Sequence, residues 1–395
     1  MSDRLAAGRQ GTSQRSLETP SRPAERISIL ILNPVGAEGW GGVEQWLTDL
    51  AVGLRERGHR VSIAGRPGSL WMRRAEAAGF TLCELPLRAD FHLGQARTLS
   101  RFMVKESVDV VATKLHRGIR VAGFASKLAN GPAVVAFMGL VETRPGLRYR
   151  LTYELFLDRI VTLSEAMRRE IAKQGAVDPS RIEIIPQGIR TQRFEVPPGT
   201  REAVRRELGV AADAPVALAV GRLHLQKRFD HLLDTWQDVA RKLPAARLFI
   251  AGGGRLGGEI DERRRSLKLE DSVTMLGFRA DVPRLYAAAD CLVMSSDDEG
   301  VPVVAIEAMA AGRAVVATNV GSIAAAIDHG VTGLLVPRQD RAALGAALVA
   351  VLGDPAVCRE MGRRGREKVL ERFQLERCID ETERFLVSLA ARVRR

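Results

Sequence analysis

The chain has 395 residues, 46% of them apolar, and carries 59 Lys and Arg against 47 Asp and Glu, a formal charge of +12. That length exceeds what a single core organises, so two domains are expected. The four cysteines (Cys83, Cys291, Cys358, Cys378) lack metal-ligand spacing and argue against a zinc site or disulfide framework. Aromatics at 5% with no basic-aromatic platform argue against nucleic acid.

The first 26 residues, rich in Arg, Ser, Gly and Pro, read as a disordered tail rather than a signal peptide or anchor. The longest apolar runs, such as Ala346 to Leu352, fall far short of the about 18 residues of a membrane span. A reducing, cytoplasmic setting is therefore expected, with the positive excess, most of it in residues 27–200, leaving room for a peripheral contact with an anionic membrane surface. Apolar runs then alternate with longer amphipathic segments, the signature of doubly wound α/β units. Ile27–Leu32, Val61–Ala64, Asp109–Thr113, Ala133–Phe137, Ile160–Leu163 and Ile182–Ile185 form one set of strands. After a polar break at Glu195–Thr200 come Val216–Val220, Arg247–Ala251, Val273–Leu276, Cys291–Met294, Ala314–Ala317 and Gly333–Val336. The expected division is a domain over residues 27–195, a second over 201–372 and a C-terminal helix over 373–395, with a cleft between two Rossmann-like sheets. Ligands of such sheets bind outside the carboxyl ends of the strands.

Several strand ends carry polar chemistry. Gly39-Trp40-Gly41-Gly42 opens a helix after the first strand, where glycines let backbone N–H groups approach a phosphate; an ordinary strand-to-helix turn fits equally well. His116 follows the Asp109–Thr113 strand, where either a cleft residue or a solvated one would sit. Arg222 and Lys227 emerge from one loop and could clamp a diphosphate. Gly252-Gly253-Gly254-Arg255-Leu256-Gly257 satisfies a dinucleotide pattern, but on a late strand, and reads better as a turn near a nucleotide than as a nicotinamide site. Asp297-Asp298-Glu299 cannot all point at one ion from a regular strand, so no metal is expected. Glu299 and Glu307 flank Gly300-Val301-Pro302, a helix start. Exposed N–H groups there suit a phosphate and the two carboxylates suit sugar hydroxyls.

Taken with Leu163-Ser164-Glu165-Ala166, Ile185-Pro186-Gln187-Gly188-Ile189 and Thr332-Gly333-Leu334-Leu335-Val336-Pro337, these motifs resemble glycosyltransferase family 4 from about Ile27 to Arg372. The resemblance implies the α/β GT-B fold and retaining transfer of a sugar from a nucleoside diphosphate donor, without metal, to a glycan or lipid-linked acceptor such as a lipopolysaccharide precursor. It implies that Arg222 and Lys227 hold the diphosphate, Glu307 the ribose, and Glu299 with Gly300 to Pro302 the donor sugar. Gly41 and Gly42 would lie near the phosphates and Phe278-Arg279 beside the base, and Gly254, in the turn read as lying near a nucleotide, is a further binding candidate. The chain departs from the family pattern at Phe137-Met138-Gly139, where many members carry a histidine that His116 or Lys114 would have to replace. It departs again at Gly321-Ser322-Ile323-Ala324-Ala325, which lacks the usual proline and glutamate. A donor-binding protein without turnover, a sugar-nucleotide epimerase or hydrolase, and a nicotinamide reductase remain the alternatives. In the first half, Arg144, Arg148, Arg150 and Arg159 interleave with Leu147, Tyr149, Leu151, Tyr153, Leu155 and Phe156. Membrane docking and simple solvation of the arginines explain that pattern equally well.

Overall fold

The structure is a computed structural model that describes residues 25–36, 41–87, 93–129, 131–139 and 146–394. Tail residues 1–24, Gly39, Trp40 and Arg144 lie outside the described residues.

Two all-parallel sheets organise the chain. The first contains β1 (Ser28–Asn33), β2 (Arg60–Gly65), β3 (Thr81–Glu84), β4 (Val110–Thr113), β5 (Ala133–Met138), β6 (Arg159–Thr162) and β7 (Ile182–Ile184), in the order β3-β2-β1-β4-β5-β6-β7. Its helices are α1 (Gly42–Glu56), α2 (Leu70–Ala77), α3 (Leu93–Lys105), α4 (Leu115–Leu128), α5 (Leu147–Phe156) and α6 (Glu165–Lys173). After α7 (Thr200–Glu207) comes the second sheet: β8 (Val216–Val220), β9 (Arg247–Ala251), β10 (Val273–Gly277), β11 (Cys291–Met294), β12 (Ala314–Thr318) and β13 (Gly333–Val336), ordered β10-β9-β8-β11-β12-β13. Its helices are α8 (Phe229–Lys242), α9 (Gly257–Ser266), α10 (Val282–Ala288), α11 (Val303–Ala310), α12 (Arg341–Gly353), α13 (Pro355–Arg372) and α14 (Leu375–Val393).

Alternation along the strands builds the layers. In β1, Ile29 and Ile31 enter the apolar cluster beneath α1 and α2, whereas Leu30 and Leu32 enter the one beneath α3, α4 and α5. Every residue of β1, β5 and β12 is buried, which is why parallel strands covered on both faces read as unbroken apolar runs. The strand that sequence pattern missed is β3. It is a four-residue edge strand in which only Cys83 is buried, so it presents no apolar run.

The two terminal helices go to different sheets. Helix α13 covers the second sheet, with Val369 in the core beside Met309 of α11. The chain then crosses back: Ile189 N–H donates to Phe373 O at 2.8 Å and Leu375 N–H to Ile189 O at 3.0 Å. Gly188 is required at this crossing, since a methyl group there would sit 2.6 Å from Gln374 O. Beyond it, α14 buries Leu375, Ile379, Leu386 and Leu389 against Trp46, Leu47 and Leu50 of α1. The last helix is therefore part of the first core and ties the two halves together.

Leu386 is 1% exposed within that cluster. Leu386→Ala should destabilise the first domain by about 2–4 kcal/mol, read as an earlier loss of tryptophan fluorescence on heating or in denaturant. A change below about 1 kcal/mol would mean that α14 is merely apposed to α1.

Candidate functional site

In both sheets the strand order reverses direction at one point, between β1 and β4 in the first and between β8 and β11 in the second. Loops diverge there, leaving a crevice at the carboxyl ends. Arg222, Lys227 and Glu299 follow the strands of the second point, and Gly41, Gly42, Lys114 and His116 those of the first.

At the second switch point, the loop after β8 is fastened to the loop after β11. Lys227 Nζ lies 2.5 Å from Glu299 Oε1, and the Ser296 hydroxyl donates to the same oxygen at 2.6 Å. Ser295 Oγ lies 2.9 Å from both Lys227 O and Arg228 O, Asp297 N–H donates to Gln226 O at 2.8 Å, and Gln226 Nε2 donates to Asp298 O at 2.6 Å. Arg228 adopts the left-handed conformation (φ 49°) between a 3-10 turn and α8, a costly backbone state for a residue with a Cβ. The Ser295 hydroxyl and an ion pair to Asp297 at 3.0 Å hold it there. Arg222 stands on the same loop, exposed, with no ion pair or hydrogen bond among the described residues, so its charge is available.

Of the three consecutive acids, Asp297 and Glu299 turn to different partners and Asp298 is exposed. Asp297 accepts from Arg228, Arg338 and Gln339; burial alone would raise its carboxyl, but these bonds outweigh burial and hold it at about 2. Glu299 is 8% exposed and turns to Lys227 and Ser296. Among the described residues no group of three His, Cys, Asp or Glu converges as metal ligands. Gly321, at φ 53°, packs on the backbone of Glu299, and Ser322 N–H donates to Glu299 O at 3.1 Å. The departure at Gly321-Ser322 thus still buttresses the Glu299 loop.

Helix α11 starts after Pro302, its N-cap, with Gly300 and Val301 leading in. Its first residue faces the other domain: a methyl group at Gly42 would lie 2.8 Å from Val303 Cγ2. Gly42 itself begins α1, whose N-cap is Gly41, and Gln187 Nε2 donates to Gly42 O at 3.4 Å. Two helix N-termini, each the positive end of a backbone dipole, therefore meet across the cleft near the Lys227–Glu299 pair. At the first switch point Glu44, in the first turn of α1, pairs with Lys114 at the start of α4, and both side chains are largely buried. Sequence reading names Lys114 only as a substitute and Glu44 only as the end of the glycine motif that opens the helix, because their pairing spans 70 residues.

Glu307 lies one turn beyond Val303, on the same helix face. Burial pushes its carboxyl up to about 7, against opposing effects of Arg193 and of the Tyr286 hydroxyl, which donates to it at 3.3 Å. Phe278 is 81% exposed, beside the turn after β9, while Arg279 is committed to Asp281 and Glu207 at 2.7 and 2.9 Å. The glycines of that turn serve close packing. A Cβ at Gly252 would overlap Gly221 O and one at Gly254 would overlap Leu223 O, while Leu223 N–H donates to Gly253 O at 2.9 Å. The dinucleotide-like pattern thus has a packing cause. His116 is held against α5, with the Tyr153 hydroxyl 2.9 Å from Nδ1 and the Tyr149 ring 4.9 Å away, and no described contact joins it to Arg222, Lys227 or Glu299. Met138 is 5% exposed in the apolar cluster under α4 and α5, and Phe137 stacks edge-on against Trp46.

Residues 40–193 match the model of Glycosyltransferase Family 4, and residues 214–354 match that of Glycosyl transferases group 1. The chain belongs to glycosyltransferase family 4. Its sheets, cleft and motif order are those of the GT-B fold, shared at a TM-score of 0.80 with HepE of Anabaena crystallised with UDP and glucose. That chain is 23% identical, with 92% of this chain and 100% of HepE covered. WaaG, a glycosyltransferase involved in lipopolysaccharide biosynthesis, aligns at a TM-score of 0.69 and 19% identity, over 91% of this chain and 99% of WaaG. A D-inositol 3-phosphate glycosyltransferase from Kineococcus radiotolerans is 36% identical over 226 residues, 52% of either chain. The chain spans about half the length of the curated relatives it matches.

The Glu307 carboxyl binds its proton more tightly in the fold, at about 7, than at its ordinary 4.5. Stability should therefore be greatest below pH 4.5 for this group and fall by on the order of 1–3 kcal/mol as pH rises to about 7. Glu307→Gln should remove that slope in the difference between the two proteins' denaturation midpoints, and an unchanged slope would contradict the assignment.

Proposed function

We propose that the protein is a retaining glycosyltransferase that moves a sugar from a nucleoside diphosphate to a hydroxyl of a glycan or lipid-linked acceptor. The observation that carries this reading is the Lys227–Glu299 pair at the start of α11, against which the start of α1 packs through Gly42 and Val303, with the exposed Arg222 on the Lys227 loop. In the reaction the bond from the anomeric carbon to the diphosphate oxygen breaks, and the acceptor oxygen bonds to that carbon on the same face. The acceptor proton passes to the departing diphosphate oxygen. Arg222, the two helix ends and Lys227, the last after exchanging Glu299 for the diphosphate, stabilise the charge that gathers on the leaving group. Glu299 accepts from donor-sugar hydroxyls, Glu307 from the ribose, and the exposed Phe278 offers a face to the base. This metal-independent arrangement gives the cations the charge-neutralising role.

UDP, present in the HepE structure, is the first nucleotide to test. The lipopolysaccharide role of WaaG and the phosphorylated-inositol substrate of the Kineococcus relative support a polar, anionic acceptor in cell-envelope chemistry. The first domain, with Lys114 and Glu44 at its switch point, is the acceptor side in this reading.

Turnover should separate two cations that sequence treats alike. Arg222→Ala should lower nucleotide-sugar turnover by about 10²-fold or more with the melting temperature unchanged. Lys227→Ala should lose comparable activity and also about 1–3 kcal/mol of stability, because it strands the buried Glu299 carboxylate. Turnover within threefold of the parent in both variants would refute the clamp, and donor binding without turnover in the parent would favour a non-catalytic donor-binding protein.

A further inference from the structure

Helices α3, α4 and α5 lie side by side on one face of the first sheet, over a single apolar cluster. Together they carry eight Lys and Arg and one acid, Glu154, which pairs with Arg150 at 3.0 Å. Six of the twelve exposed large apolar side chains among the described residues lie on these three helices. On α5, Leu147, Leu151 and Leu155 are 73%, 43% and 51% exposed and recur every fourth residue, so they form one ridge along the helix, flanked by the exposed Arg148 and Arg150. On α3, the same spacing exposes Arg97 and Arg101.

We infer that this face docks the protein on an anionic lipid leaflet. A leucine ridge bordered by arginines fits the headgroup boundary, where apolar side chains enter the acyl region and guanidinium groups remain with the phosphates. The near absence of acids on three adjacent helices fits attraction to a negative surface. No single described helix is long and apolar enough to cross a membrane, so the contact lies on the surface. Helix α5 follows β5 from the carboxyl edge of the sheet, the edge on which the first switch point opens, so docking through it would hold the cleft next to the leaflet. This inference is independent of the donor chemistry.

The full chain should co-sediment with vesicles of phosphatidylcholine containing about one third phosphatidylglycerol at low salt and not with phosphatidylcholine alone, and binding should weaken about tenfold or more toward 0.3 M salt. Arg97→Glu with Arg101→Glu should reduce partitioning by at least tenfold, and Leu147→Ser, Leu151→Ser and Leu155→Ser together should do the same, each with an unchanged melting temperature. Loss with the arginine variant alone, accompanied by equal affinity of the parent for duplex DNA, would mark a general polyanion surface and overturn the inference. So would a parent that fails to bind anionic vesicles, or a leucine variant that instead converts a dimer to a monomer in light scattering.

Discussion

The site rests on one electrostatic constraint: a cation and an anion from loops 72 residues apart are locked together at the mouth of the second sheet. Lys227 and Glu299 are both largely withdrawn from water, at 21% and 8% side-chain exposure, so neither charge is inexpensive to hold alone. Each makes the other tolerable, and the Ser295, Gln226 and Arg228 contacts fix the loops on which they stand. In the proposed reaction the pair also prepares a binding event, because a diphosphate would offer Lys227 a stronger anionic partner and free Glu299 oxygens for sugar hydroxyls. Arg222 needs no such exchange. Its charge has no partner among the described residues, so it can supply the first attraction.

What lies opposite follows from connectivity. Because α14 crosses back to fill the first core, and Gly188 lets the chain approach Gln374 closely, the two sheets are joined by a packed segment as well as by the linker. Contact between Gly42 and Val303 then brings two helix starts together, and a side chain at position 42 would press them apart. Glycine here is a demand of domain approach. The same holds after β9, where glycines let two strand-end turns touch through their backbones.

Much of this was legible in sequence wherever burial on both faces produced continuous apolar runs, and the strand-end cations and carboxylates stood out because chemistry-bearing residues are conspicuous beside glycine and proline. The edge strand β3 was not legible, since one buried cysteine makes no pattern. Nor was the separation of Arg222 from Lys227, which depends on a partner 72 residues away. The resemblance sets Arg279 beside the base, and no sequence signal pointed to its ion pairs with Asp281 and Glu207. His116, placed at a strand end, turns out to be bound to Tyr153 on a helix that no periodicity argument could dock.

The most direct measurement of the account is the structure of the protein with a bound nucleoside diphosphate, UDP first. The account predicts the diphosphate between the Arg222 guanidinium and Lys227 Nζ, with its terminal phosphate at the start of α11, the ribose hydroxyls on Glu307, and Lys227 drawn away from Glu299. A nucleotide bound elsewhere, or one that leaves Arg222 unengaged and the Lys227–Glu299 pair intact, would contradict it.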